Sequence, residues 1–227
     1  EKVKEAALKE KSKKLKQRLE DIVSSENKPV TGKAMDRLAA ELLGFGKKRR
    51  VEWTKNISFP KLHRQDGEEA SEDYRTAIFA AYADMDLPGL DERVSRLASE
   101  LNQKDLSNSM AVLLDEWLRE GAEAKKRWVL YAAAIHGGEA LVPVLCRQID
   151  VWSKNARGVM AGEAARALVL GGTTEALLWA DKASRSHKSR QVKKAALEAL
   201  SEAAKVLGIH PEELEDRIVP TLGFDQN

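Results

Sequence analysis

The chain holds one cysteine, Cys146, so it can form no disulfide within itself and no cysteine-built zinc cluster. A cytosolic setting is the expectation. Aromatic residues are scarce, at 5% of 227, and the 14 glycines and 6 prolines are too few for a collagen-like or low-complexity chain. Long apolar runs are missing too. The longest, Trp128 to Ile135, has eight residues, far below the ~20 of a membrane-spanning helix. The lysine-rich opening has no apolar core of the kind a secretion signal needs. Glu1 is not an initiator methionine, and the expectation is a piece of a larger protein. Asn56-Ile57-Ser58 matches a glycosylation tripeptide but reads as a loop coincidence in that setting.

Helix formers are abundant. The chain has 31 alanines and 27 leucines against 22 valines and isoleucines together, a balance that favours helix over sheet. Leu8, Leu15, Leu19 and Ile22 form one stripe of a helix over Val3–Ser25. A second helix is predicted from Thr31 to Leu43, with Met35, Leu38 and Leu42 inward and Gly44 ending it. The stretch from Gly44 to Gly67 has no helical period. A loop of that length is functional or mobile when it occurs inside a compact domain. Helices resume over Glu72–Met85, then along the stripe Leu90, Val94, Leu97 and Leu101, then around Leu113, Leu114, Trp117 and Leu118.

From Ala124 the pattern repeats. Ala-rich helices end at Gly137-Gly138, at Gly171-Gly172 and at Gly208, so the breaks fall 34 and 37 residues apart. A shorter Leu-containing helix is expected after each of the first two. Helical pairs at such a period mark α-solenoids, in which each hairpin buries an apolar face against its neighbour. Ala-rich helices would also serve an ordinary bundle. The expected fold is all-α, a HEAT/armadillo-like α-solenoid with an irregular N-terminal helical portion. Its parts are a helical hairpin over 1–45, a basic irregular linker over 46–70, an acidic helical segment over 71–123, the HEAT-like repeats over 124–208, and a capping helix with the start of a following domain over 209–227.

The closing stretch runs Val192-Lys-Lys-Ala-Ala-Leu-Glu-Ala-Leu-Ser-Glu-Ala-Ala-Lys-Val-Leu-Gly208 and then Glu213-Leu-Glu-Asp-Arg-Ile-Val-Pro-Thr-Leu-Gly-Phe-Asp225. It resembles the large bacterial proteins grouped with the molybdate metabolism regulator, whose conserved region of unknown function often stands beside a WGR domain. The resemblance covers roughly the last 85 residues. It implies a helical-repeat segment just before another domain. The chain contains no Trp-Gly-Arg tripeptide, and the resemblance brings no catalytic residues with it.

No pattern of catalysis stands out. Gly46-Lys47 is followed by Lys48 rather than Ser or Thr and follows a helix, so it is not a phosphate-binding loop. His63, His136, His187 and His210 lack the pairwise spacing of metal ligands. Cys146, among Leu145, Ile149 and Trp152, reads as a small buried hydrophobe rather than a nucleophile. Trp117, Trp128, Trp152 and Trp179 read as core anchors, with a groove for stacked bases as the alternative. No catalytic, metal-ligating or cofactor-binding residue is assigned, and no cofactor is expected.

Charge is more informative. The net charge of +2 hides blocks of +8 over 1–66, −9 over 67–123, +8 over 124–194 and −5 over 195–227. Lys125, Lys126 and Arg127, then Lys154 and Arg157, then Lys182, Arg185, Lys188, Arg190, Lys193 and Lys194 gather about the starts of successive first helices. Cations there oppose the helix dipole, so local helix stability does not account for them. Stacked repeats would align them into one ridge facing phosphates or an acidic protein surface, such as the 67–123 block of another copy. A solvated edge with salt bridges between repeats is the plainer reading. Lys47, Lys48, Arg49 and Arg50 form a separate basic loop. The expected role is a non-catalytic scaffold segment that contacts neighbouring domains of its parent chain or a protein partner, away from membranes. Nucleic-acid binding through the ridge and the basic loop is the alternative.

Overall fold

The structure is a computed structural model and describes residues 32–44, 50–85 and 89–207. The helix expected over Val3–Ser25, the loop residues Lys47, Lys48 and Arg49, and the stretch from Gly208 to Asn227 lie outside the described residues. By contacts the chain divides into two units, Glu1–Arg37 and Leu38–Asn227. The described residues form nine α-helices and no strand beyond two isolated bridges.

Helix α1 (Gly32–Gly44) buries Met35 and Leu42 as expected, together with Ala39, whereas Leu38, expected inward, is only half-buried. The segment after it is irregular yet packed. Val51, Leu62 and Ala70 are buried, and a short 3-10 turn occupies Glu52–Asn56. Backbone bonds from Arg64 to Glu68 at 2.8 Å and from Ala70 to Leu62 at 2.7 Å close a tight hairpin. Gly67 turns it at φ +86°, in the left-handed region that favours glycine. The imidazole Nδ1 of His63 lies 2.6 Å from Asp105 Oδ2 and ties this hairpin to the start of α4 (Gln103–Arg119).

Helix α2 (Glu72–Asp84) starts at Ser71, whose hydroxyl accepts from the Asp73 amide at 3.2 Å. It buries an unbroken run from Ala77 to Ala83, the signature of a helix covered on all sides. Helix α3 (Glu92–Ser99) buries Val94 and Leu97, and Leu101 just beyond it is also covered. Leu90 breaks the predicted stripe. The cap at Asp91 starts the helix after it, and Leu90 is left 64% exposed.

The remaining helices are α5 (Trp128–His136), α6 (Val142–Lys154), α7 (Gly158–Gly171), α8 (Thr174–Ser186) and α9 (Arg190–Leu207). Helix α6, with 13 residues, is longer than α5, with nine, the reverse of the expected order. The 3-10 turn at Ala124–Lys126 takes up the chain that the sequence pattern assigns to the start of α5.

Helices α2, α5, α7 and α9 pack in succession, while α4 packs on α5, α6 on α7, and α8 on both α7 and α9. Small residues set the spacing. A Cβ on Gly171 would stand 2.4 Å from the Ala134 carbonyl oxygen, and one on Gly162 would meet Ala195 Cβ at 3.4 Å. Polar links run along the same layer. Tyr131 donates to Glu163 at 2.5 Å, and Arg166 donates to Glu163 at 3.2 Å and to Glu198 at 3.0 Å. The contact pairs advance together along each helix, so α5, α7 and α9 run parallel, with α6 and α8 returning between them.

The core is rich in rings. Phe79 packs on Trp128 at 5.8 Å between centroids, and Trp117 meets Trp152 edge-on at the same distance. Trp117, Trp128 and Trp152 are buried, whereas Trp179 is only half-buried.

Candidate functional site

The parallel course of α5, α7 and α9 brings three connecting turns to one edge: 120–127, 154–158 and 187–190. Side chains tie them in a row. The Arg157 guanidinium donates to the carbonyls of Gly121, at 2.9 Å, and Ala122, joining the second turn to the first. His187 Nε2 lies 3.2 Å from Asp150 Oδ1, joining the third turn to the end of α6. Gly158 stands directly against Gln191 at the start of α9.

Two clefts open along this edge. The first, of about 530 Å³, is lined by Arg50, Lys125, Lys126, Arg127, Trp128 and Tyr131. It joins Arg50, the described member of the basic loop, to the head of the ridge. Arg50 is held there by a bond from Nη1 to the Ala83 carbonyl at 2.8 Å. Nothing in the local sequence signals this pairing. The second cleft, of about 510 Å³, is lined by Lys154, Lys182 and Lys188 together with Trp179, His187 and Asp150.

The predicted ridge residues therefore separate by role. Lys126 pairs with Glu120 at 2.9 Å and Glu123 at 3.7 Å, and its ammonium lies 4.4 Å from the Trp53 ring centroid. Arg157 satisfies backbone carbonyls and sits 5.5 Å from the Trp152 ring centroid. Arg185 pairs with Asp181, and Lys194 with Glu198 at 3.7 Å. Lys125, Arg127, Lys154, Lys182, Lys188, Arg190 and Lys193 make no ion pair with described residues. The edge carries a surplus of unmatched positive charge with local links between turns.

The opposite ends of α7 and α9 differ in character. An apolar groove of about 630 Å³ runs past Leu90, Val169, Leu170, Leu177, Ala203 and Val206.

Titratable groups in the interior serve packing. Burial lowers the His136 pKa from 6.5 to about 4, which keeps the ring neutral in its 2.8 Å hydrogen bond with Tyr82. Burial and the neighbouring acids Glu175 and Asp150 push the Cys146 thiol up to about 12, far from an activated thiolate. Among the described residues no group of three or more His, Cys, Asp or Glu is placed to hold a metal ion. No described helix is long and apolar enough to cross a membrane.

A stretch of 113 residues, 50% of this chain, is 34% identical to part of a longer protein. That relative is YehI of Escherichia coli K12. It is described as uncharacterized, and the matched stretch spans 9% of its length. No family model matches the chain, and no solved structure matches it.

Proposed function

We propose that this segment is a non-catalytic interaction module within a larger bacterial protein, a short helical-repeat solenoid that presents its basic edge to a partner. The row of turns tied by Arg157 and by His187–Asp150 carries this reading. It is what a stack of hairpins produces when first helices run parallel and second helices return between them. The Gly171–Ala134 and Gly162–Ala195 approaches support the stack, since small residues at both contacts let successive first helices meet closely. Each unit then leans on its neighbours.

The parent protein, on this reading, is a cytosolic regulatory protein akin to the molybdate metabolism regulator group. The resemblance of the closing stretch supports that group, and a match confined to a small part of a much longer relative supports a larger parent chain. The sequence alone favours a neighbouring domain or a protein as partner, with nucleic acid as the alternative.

The test places a photo-crosslinking residue at Lys154 or Lys188 in the full-length parent protein inside cells. Covalent adducts at both edge positions are expected. Adducts at Leu197, on another face of α9, with none at the edge would overturn the proposal. So would turnover of a small molecule that point changes within 124–207 abolish.

A further inference from the structure

We infer that the partner at this edge is single-stranded nucleic acid, its phosphates held by Lys154, Lys182 and Lys188 and one base stacked on Trp179. This inference rests on the interaction-module reading above and names its ligand.

The second cleft provides the chemistry. Its three lysines come from α6, α8 and the α8–α9 turn, and none makes an ion pair with a described residue. Two acids lie nearby: Asp150, bonded to His187, lines the cleft itself, and Asp181 pairs with Arg185. Three lysines against one carboxylate leave the cleft net positive, and like charges gathered there repel unless a further anion joins them.

Trp179 selects the kind of anion. Trp117 and Trp152 are buried against each other, but Trp179 is half-buried and forms a wall of the cleft beside the lysines. An aromatic face next to cations in a cleft of about 510 Å³ suits an unpaired base with its phosphate. A carboxylate-rich peptide would match the charge and leave the ring unused. A duplex keeps its bases stacked inside and could not place one against Trp179.

The row of turns gives the path. Neighbouring helices pack about 10 Å apart, so roughly 20 Å separates the first turn from the third. The Arg50, Lys125 and Arg127 cleft lies at the far end of that path. A strand of a few nucleotides bridges the two clefts, at the lower end of the ~4–16 nucleotides common for single-strand sites.

The test uses the whole 227-residue chain and fluorescein-labelled oligothymidylate and oligouridylate of about 20 nucleotides, read by anisotropy from about 50 mM salt upward. Binding to either oligomer is expected, with a log–log salt slope of about −3 for roughly four phosphate contacts. The triple variant Lys154→Glu, Lys182→Glu, Lys188→Glu should lower affinity about 100-fold or more. Trp179→Ala should lower it about tenfold, whereas Trp179→Phe, which keeps a stacking ring and the fold, should retain most of it. Lys104→Glu, on α4 away from the edge, should change nothing.

Absence of binding to both oligomers at the lowest salt overturns the inference. So does tighter binding to a hairpin duplex, or equal affinity of wild type and Trp179→Ala. Binding to polyglutamate but to neither oligomer would also overturn it while leaving the interaction module standing. Failure of crosslinking at the edge in the parent protein would remove both.

Discussion

Tyr131 donates its phenolic hydrogen to Glu163 at 2.5 Å, and this bond joins α5 to α7. Arg166 extends the chain of bonds from Glu163 to Glu198 on α9, so three parallel helices share one polar line. Burial is the larger cause that raises the Tyr131 pKa, and the Glu163 carboxylate adds to it.

Tyr131→Phe removes the donor but leaves Glu163 with Arg166. Stability is expected to fall by about 1.5–3 kcal/mol, the scale of a hydrogen bond to a charged group. Urea unfolding of wild type and variant measures it. No change in midpoint would show that the bond contributes nothing to holding the layer together.

Alkaline pH acts on the same residue. A pKa raised above its unfolded value favours the protonated phenol in the fold, so this stabilisation is complete below about pH 10 and declines as pH rises through the folded value. Tyr82, raised mainly by burial, adds to the effect. Wild type should lose stability above about pH 10 more steeply than the double variant Tyr82→Phe, Tyr131→Phe. Parallel curves from thermal melts would refute this.

His136 predicts the acid side. Its pKa falls from 6.5 to about 4 through burial, so the unfolded chain binds the proton first as pH drops. The contribution is present above pH 6.5 and is lost between there and about pH 4, amounting to at most about 3 kcal/mol. His136→Gln should flatten the stability profile across that window. An unchanged slope would assign acid unfolding to other groups.

Two glycines of α7 should respond oppositely to alanine. At Gly171 the new Cβ would stand 2.4 Å from the Ala134 carbonyl oxygen, and backbone must move. A loss of about 2–3 kcal/mol is expected, as for overpacking. At Gly158 the obstacle is the Gln191 side-chain tip, which can swing away. Alanine there should be neutral or stabilise by about 0.4–1 kcal/mol. Equal losses at both sites in thermal melts would contradict the parallel packing of these helices.

Arg157→Ala should cost about 1.5–3 kcal/mol, because two turn carbonyls lose a charged donor beside the left-handed residues Gly121 and Ala122. Arg157→Lys should recover only part, since an ammonium lacks the fork that serves both oxygens. Full recovery in urea would mean that charge alone acts there.

Much of the secondary structure was legible in the residues. Met35 and Leu42, and Val94 and Leu97, mark the faces that are buried. Gly172, at φ +67°, closes α7 where the sequence places a break. Leu90 was misassigned because a short apolar stripe does not reveal which residue caps the helix, and Asp91 starts it one position later. The candidate edge was legible as a list of cations but not as a site. Arg157 and Lys126 look like their neighbours along the chain, yet one serves carbonyls of a preceding turn and the other pairs with glutamates. Trp179 resembled the three core tryptophans because helical spacing does not tell a covered ring from a half-covered one.

Composition and periodicity by themselves determined that the described chain is helical, where most of its breaks fall and most of the faces that turn inward, because those properties depend on residues within a turn or two of one another. Folding in space decided which cations meet and which are neutralised, since Arg50 reaches Lys125–Arg127, and Lys154 reaches Lys182 and Lys188, only across packed helices. Electrostatic energy depends on distance through space and on burial, and neither quantity is written in the order of the residues.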